Sequence, residues 1–266
     1  MNQQEVTNII KSTVHIVMSE PVTLAPKGIG SGCVIRFMDK DILLTVAHVT
    51  DLDNAGTCIV TGQPVINNTT PMYSVGAMTY LDKFDITKYE EQLEILKTEP
   101  DRIEEIDFGL IDFSFTTLQH KVELLQQEIE FKEFKVPSSN KIIIETELDK
   151  KPEVETEYCF FGRIKPNYFK GTPMGDIFET QQVVYGGLKF IRQVGNYYEF
   201  ELPNEIKDHA DFKGTSGAPI MDSNGNVVSL VTHGYTGAKN IYGIALTDFK
   251  SGVEAMILTD DMNNKK

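Results

Sequence analysis

The run Gly214-Thr215-Ser216-Gly217-Ala218-Pro219 is the most informative stretch of this 266-residue chain. A serine between glycines, in a turn that precedes an apolar strand, can expose its hydroxyl and turn backbone N–H groups toward one oxygen. The strand-turn-strand unit that follows has Ser223-Asn224-Gly225-Asn226 as its predicted turn. These features indicate nucleophilic acyl transfer, with Ser216 as the nucleophile.

Two upstream segments supply candidates for the groups that would activate Ser216. The apolar run Asp41–His48 ends in a histidine, which places an imidazole at the end of a rigid strand. Asp107 opens the apolar stretch 108–115, and a partly buried carboxylate there can fix the tautomer of a nearby histidine. Asp112 is a rival within the same predicted strand. It is five residues further on, so strand alternation puts it on the opposite face and favours Asp107.

Short strands separated by turns dominate the rest of the chain and predict an all-β protein. Two stretches have helical apolar spacing instead. Residues 86–105 are predicted as a surface insertion in a loop, and residues 117–130 as a second helix that runs into a connector. The turn-rich residues 136–140 suggest a boundary. The length fits two barrels, one over residues 1–135 and one over residues 136–266.

Together the three motifs resemble those of the trypsin-like (chymotrypsin-fold) serine proteases. Thr45–His48 is similar to the family's T-A-A-H segment, Asp107–Ile111 to its D-I-A-L-L segment, and Gly214–Pro219 to its G-D-S-G-G-P segment. The order of histidine, aspartate and serine is also that of the family. The resemblance covers most of the chain and leaves out both tails and the helical insertion. It implies two six-stranded antiparallel β-barrels with a catalytic triad in the cleft between them.

The resemblance also implies a role for each matching residue. Ser216 would be the nucleophile of a serine endopeptidase, and His48 its general base and then its general acid. Asp107 would orient His48. The backbone N–H groups of Gly214 and Ser216 would form the oxyanion hole, and Thr232 would support the triad aspartate through a hydrogen bond.

The substrate pocket implied by the resemblance is made by residues on both sides of the nucleophile: Ala210, Asp211, His233, Gly234 and Gly243. Ala210 occupies the place where trypsin has its basic-specific aspartate. Asp211 next to it favours Lys or Arg as the residue before the scissile bond. His233 favours an acidic or polar residue there, and the sequence leaves both choices open.

Two departures from the family pattern bear on regulation. Thr215 replaces the aspartate that pairs with a freshly cut N-terminus in secreted relatives, and Val49 replaces a disulfide cysteine. Both departures resemble intracellular bacterial members of the family. We therefore expect a latent enzyme that an activating protein partner or another trigger releases. A role as an effector in bacterial stress or antiphage defence is the corresponding expectation.

Composition excludes several other functions. The net charge is −14 and the sequence pI is about 4.8, which argues against nucleic acid or an anionic membrane as a partner. The first twenty residues show no signal peptide, so a cytoplasmic location is expected. Three scattered cysteines (Cys33, Cys58 and Cys159) indicate reduced thiols and no zinc site. Serine acyl transfer needs no cofactor, and none is predicted.

Two other functions compete with a peptidase. A catalytically silent binding module could keep the same fold, although the intact histidine, aspartate and serine argue against it. An α/β-hydrolase esterase needs G-x-S-x-G between a strand and a long helix, with the order serine, acid, histidine. Ala218 breaks that motif, and strands are predicted after Ser216, so this class ranks last.

Overall fold

The computed structural model describes residues 1–263 except residues 24, 65–70, 82–85, 99–108, 132–133, 173–174, 209–211 and 235. Strands dominate it and form an open sheet followed by a closed barrel. One buried apolar cluster fills the barrel. A larger one spans the sheet, three helices and the barrel strands that face them. The two halves therefore pack into one body.

The N-terminal half is an eight-stranded sheet in the order β5-β4-β1-β2-β3-β7-β6, with β12 added in parallel to β2. Its strands are β1 Thr13–Ser19, β2 Pro26–Phe37, β3 Lys40–Thr45, β4 Gly56–Val60, β5 Met72–Gly76, β6 Thr79–Tyr80, β7 Ser114–Thr117 and β12 Ile144–Glu145. All seven residues of β1 are buried, because the sheet covers one face of this strand and the barrel and helices cover the other.

The C-terminal half is a closed six-stranded barrel in the order β13-β14-β15-β18-β17-β16. Its strands are β13 Glu157–Thr172, β14 Gly175–Val194, β15 Tyr197–Glu201, β16 Pro219–Asp222, β17 Val227–Gly234 and β18 Asn240–Ala245. Between the halves lie two small pairs, β8 Leu125–Gln126 with β11 Ser139–Asn140, and β9 Ile129–Phe131 with β10 Phe134–Val136.

Four helices complete the described part of the chain: α1 Gln3–Ser12, α2 Ala47–Thr50, α3 Ile86–Thr98 and α4 Leu246–Asn263. A capping box starts α1. The Asn2 side chain accepts from the backbone of Glu5, and the Glu5 carboxylate accepts from the backbone N–H of Asn2. No helix among the described residues is both long and apolar enough to cross a membrane.

The all-β, two-barrel fold class is confirmed, with differences in detail. The C-terminal barrel closes, whereas the N-terminal sheet is open along the described residues. The predicted insertion is a helix over Ile86–Thr98, and its remainder, residues 99–105, lies outside the described residues. The helix predicted over residues 117–130 is wrong, because short strands and loops stand there. The short strand β12 pairs in parallel with β2 of the first sheet.

Candidate active site

The carboxylate of Asp112 holds His48 at two points. Its Oδ1 accepts the backbone N–H of His48 at 3.0 Å, and its Oδ2 lies 2.8 Å from His48 Nδ1. Asp112 is fully buried, while the His48 side chain keeps 13% of its surface exposed. An ionised carboxylate can only accept, so Nδ1 carries the proton and Nε2 keeps a lone pair for a second partner. This is the geometry of an oriented general base.

Asp107, the predicted partner of His48, lies outside the described residues. Within the described part of the chain, the carboxylate bonded to His48 is that of Asp112. The alternation argument against Asp112 fails because the strand begins only at Ser114, so residues 109–113 do not alternate. The β3–β7 register places Thr45 opposite Ser114, which brings the chain before Ser114 beside the chain after Thr45. That register cannot be deduced from sequence.

Two hydroxyl contacts hold the elements that carry the pair. The Tyr197 hydroxyl of the barrel donates to the carbonyl oxygen of Leu110 at 2.7 Å, and so ties the Asp112 segment to β15. Thr50, at the end of the helical turn that carries His48, shares a hydrogen bond with Ser114 at 2.9 Å. One bond therefore fixes the segment that carries Asp112, and the other fixes the helical turn that carries His48.

Ser216 stands in a loop of two successive turns. The backbone N–H of Thr215 donates to the carbonyl of Phe212 at 3.1 Å, and that of Ala218 donates to the carbonyl of Thr215 at 2.8 Å. The Ser216 side chain is half-buried, and its Oγ donates to the carbonyl of Thr232 at 3.3 Å. The hydroxyl is thus exposed enough to meet a substrate and is anchored to β17.

The two glycines that flank Ser216 are required by their backbone and their surroundings. Gly214 has φ +107°, and a Cβ there would lie 2.2 Å from the carbonyl oxygen of Arg163. Gly217 has φ +84°, and its Cβ would lie 2.0 Å from the carbonyl oxygen of Ser31. Any other residue would meet both left-handed strain and backbone collision. The Gly-x-Ser-Gly spacing therefore has a direct steric cause.

The first sheet fixes the Ser216 loop by backbone contacts. The N–H of Ser31 donates to the carbonyl of Ser216 at 2.8 Å, and its Oγ donates to the carbonyl of Gly214 at 2.9 Å. Thr45 Oγ1 donates to the carbonyl of Ser31 at 2.7 Å. Because Thr45 is only three residues before His48, these bonds link the serine loop to the strand that positions the histidine.

The two backbone N–H groups of the predicted oxyanion hole differ from their neighbours in hydrogen bonding. Along the described residues, the backbone N–H groups of Gly214 and Ser216 donate to no protein acceptor, whereas those of Thr215 and Gly217 do. The carbonyls of Gly214 and Ser216 are turned to Ser31, as described above. Two N–H groups beside a serine hydroxyl are what a developing oxyanion needs.

Two residues of β17 support the site in ways that differ from the prediction. The Thr232 hydroxyl donates to the carbonyl of Tyr242 at 2.8 Å, so its single proton does not go to a triad aspartate. His233 is buried between Tyr197 and Tyr242, with ring centroids at 5.5 and 5.1 Å. Burial lowers the pKa of His233 to about 4; the charge of Asp112 opposes that shift and His48 adds to it. A neutral His233 therefore lies within electrostatic reach of Asp112 and His48.

The predicted pocket residues fall in three places. Ala210 and Asp211 lie outside the described residues. Gly234 has an apolar surround, since a Cβ there would meet side chains of Ile206, Ile241 and Phe212 at 2.8, 3.1 and 3.4 Å. The prediction for Gly243 is corrected. Its Cβ would meet the Ser229 hydroxyl at 2.3 Å and the Ile220 side chain at 3.0 Å in the barrel interior.

Other reactive groups are poorly suited to chemistry. Burial raises the pKa of the Cys33 and Cys159 thiols to about 12, so both remain protonated. All three cysteines are buried and free. No cluster of His, Cys, Asp and Glu able to hold a metal ion occurs among the described residues.

Comparison with known proteins supports the fold class. No protein-family model matches this chain, and no curated protein matches its sequence. The serine endoprotease from Yersinia pestis is similar in structure, with a TM-score of 0.52 and 14% identity over 97% of this chain. This chain spans 66% of the Yersinia protein.

Two further structures match over nearly their full length. The atomic-resolution structure of HBP has a TM-score of 0.56 and 9% identity, with 94% of this chain and 93% of that chain covered. Human heparin-binding protein has a TM-score of 0.55 and 10% identity, with 94% and 92% covered. At such identities these likenesses establish the chymotrypsin-like two-barrel fold.

Proposed function

We propose that this protein is a serine endopeptidase whose catalytic triad is Ser216, His48 and Asp112. The observation that carries the proposal is the two-point bond between buried Asp112 and His48, and His48 follows by three residues Thr45, whose hydroxyl bonds the Ser31 carbonyl behind the Ser216 loop. A largely buried imidazole bonded to a fully buried carboxylate, together with a serine in a Gly-rich turn, is the arrangement expected of a functional site.

The proposed mechanism assigns each of these groups a step that suits its chemistry. Ser216 Oγ attacks the scissile carbonyl carbon while His48 Nε2 takes its proton, and Asp112 stabilises the imidazolium that forms. The N–H groups of Gly214 and Ser216 stabilise the oxyanion. His48 then protonates the leaving amine, which leaves an acyl-enzyme ester. Water, deprotonated by His48, hydrolyses this ester and restores Ser216.

For the substrate, we propose an apolar side chain before the scissile bond. Ile206, Phe212 and Ile241 surround Gly234, and all three are at least 97% buried, so the described wall offers no charge to pair with Lys or Arg. An apolar pocket favours apolar residues by the area it removes from water. A library of peptides varied at this position would show the preference directly.

We also propose that the enzyme is latent in the cytoplasm and acts after a trigger. Thr215 is fully buried and bonded to Phe212, so the loop holds no carboxylate for a new N-terminus to pair with. An activating partner would have to act on the loop in another way. The role in bacterial stress or antiphage defence rests on the resemblance noted from the sequence.

A silent binding module is the second candidate, since one structural neighbour is named for heparin binding. Heparin is a polyanion, and the net charge of −14 on this chain opposes such a ligand. The intact triad is also unexplained by binding alone.

Cleavage of a denatured protein, followed by mass spectrometry of the fragments, tests the proposal. Internal cleavage that disappears in Ser216→Ala but persists in Ser223→Ala, a matched change of an exposed serine in a nearby turn, supports an endopeptidase. Cleavage that survives in Ser216→Ala contradicts it.

A further inference from the structure

A group of basic side chains lies where the first sheet meets the barrel, behind the Ser216 loop. His15 belongs to β1, Lys141 to the segment before β12, and Arg163 to β13. The His15 ring contacts Phe161 edge-on, with 5.6 Å between centroids. Arg163 is two residues beyond Phe161 in a regular part of β13, so both side chains leave the same face of the strand.

Lys141 adds a buried amine to this group, and burial, followed by the charge of Arg163, holds the pKa of Lys141 well below the usual lysine value. Its Nζ donates to the carbonyls of Ile10 and Thr13 at 2.8 and 2.6 Å and to Gln126 Oε1 at 2.7 Å. Three acceptors match the three hydrogens of an ammonium group. Thr13 precedes His15 by two residues on β1, which places Lys141 beside the histidine. Burial, followed by the charges of Arg163 and Lys141, lowers the pKa of His15.

Lys141 has three hydrogen-bond acceptors but no counter-charge in the part of the chain that the structure describes, whereas Arg163 and His15 have buried nitrogens without a hydrogen-bond partner there. Within the described residues, no carboxylate forms an ion pair with Lys141 or Arg163, and Arg163 Nε has no hydrogen-bond partner. Neither ring nitrogen of His15 has one either, although the residue is 94% buried. Buried cations without counter-charges are costly, so proteins pair them or use them to hold an ion.

We propose that His15, Lys141 and Arg163 form a binding site for a small oxyanion, and that its occupancy orders the Ser216 loop. A guanidinium fork and an imidazole N–H suit the several acceptor oxygens of a phosphate-like group. The chain as a whole repels anions, so binding here requires this local group rather than the general field.

The coupling to the Ser216 loop follows from two backbone contacts. The carbonyl of Arg163 faces Gly214 closely enough to exclude a Cβ. His15 pairs across β1 and β2 with Ser31, which bonds the carbonyls of both Gly214 and Ser216. An anion that fixes Arg163 and His15 therefore fixes both supports of the loop. This regulatory step rests on the proposed function, whereas anion binding does not.

Calorimetric titration with inorganic phosphate, against chloride at equal ionic strength, tests the site. We expect one saturable site in the wild type and in Ser216→Ala. Binding should weaken about tenfold in Arg163→Gln, recover in part in Arg163→Lys, and stay unchanged in Arg36→Gln, an exposed arginine paired with Asp41. Absence of saturable phosphate binding in the wild type, or equal binding by folded Arg163→Gln, would overturn the proposal.

Two further measurements distinguish failure of the anion site from failure of the regulatory step and of the proposed function. Phosphate should shift the His15 ring resonances of the wild type in NMR spectra, a test that needs no variant, and unshifted resonances would overturn the site. Labelling of Ser216 by a fluorophosphonate should speed up with phosphate. Binding without faster labelling overturns the regulatory step alone. Binding without any labelling overturns the proposed function and leaves the anion site standing.

Discussion

Asp112 Oδ2 lies 2.8 Å from His48 Nδ1, and its other oxygen accepts the backbone N–H of the same histidine. The carboxylate thus fixes both the ring and the chain that carries it. A buried acid in this position sets the tautomer of His48 and stabilises its cation during proton transfer. The first prediction therefore concerns the replacement of Asp112.

Asp112→Asn should lower kcat/KM by about three to four orders of magnitude, because an amide favours the wrong tautomer of His48. Asp107→Asn is the matched control, since Asp107 is the acid that the motif favours. It should change kcat/KM by less than about threefold, because Asp112 already holds both the ring and the backbone of His48. Steady-state kinetics on both variants identifies the acid that orients His48. A larger loss of kcat/KM in Asp107→Asn than in Asp112→Asn would refute the role of Asp112.

Ser31→Ala should slow the reaction of Ser216 by removing the bond to the Gly214 carbonyl. Ser229→Ala removes an equivalent buried bond, from the Ser229 hydroxyl to the carbonyl of Ile244, away from the loop. Each variant should lose about 1 kcal/mol in the free energy of unfolding.

Only Ser31→Ala should lower the labelling rate of Ser216, which stopped-flow or gel assays with a covalent probe can measure. Equal rates in the two variants would show that Ser31 does not set the loop.

Gly217→Ala should destabilise the fold more than Gly237→Ala does. Both glycines have positive φ, at +84° and +80°, so the backbone strain is similar. A Cβ at Gly217 meets the Ser31 carbonyl, whereas at Gly237 nothing lies within 4 Å. We expect about 1 kcal/mol for Gly237→Ala and at least about 2 kcal/mol more for Gly217→Ala in urea unfolding. Similar losses would mean that the close approach to Ser31 is absent.

The stability of the protein should fall between pH 7 and pH 4 in part because of His233. The folded protein keeps this histidine neutral down to about pH 4, whereas an unfolded histidine takes up its proton near pH 6.5. The unfolded state therefore binds more protons across that window, and stability is lost as the pH drops.

The contribution of His233 is on the order of 2–3 kcal/mol. His233→Phe keeps a ring against Tyr242 and should reduce the loss between pH 7 and pH 4 by about that amount in denaturant unfolding. An unchanged loss would show that His233 ionises normally in the folded state.

Much of the site was predictable because its constraints are local. The Gly-x-Ser-Gly run follows from steric contacts at Gly214 and Gly217, and the place of His48 shortly after β3 follows from a short apolar run. Asp112 was considered but ranked below Asp107, because its approach to His48 depends on the pairing of β3 with β7, two strands that lie far apart in sequence. Helix α1 carried a visible signal, the Asn2 and Glu5 capping box, that the strand pattern obscured.

The wrong helix over residues 117–130 has a different cause. Leu118 and Val122 have helical spacing, but the sheet and small strand pairs bury them at the edge of the core. Tertiary packing overrides such local spacing when a segment is short. The pocket was also beyond prediction, because the place of Gly243 inside the barrel depends on how β18 pairs with β15 and β17.

The most direct test of the triad is the intact mass of the protein after incubation with a fluorophosphonate probe, followed by peptide mapping. We predict one adduct at Ser216 that is absent in Ser216→Ala and strongly reduced in His48→Ala and Asp112→Asn. Ser223→Ala should label like the wild type. Labelling of Ser216 without peptide cleavage would identify the latent form of the enzyme. No adduct at Ser216, with phosphate present and in lysate of stressed or infected cells, would contradict the triad.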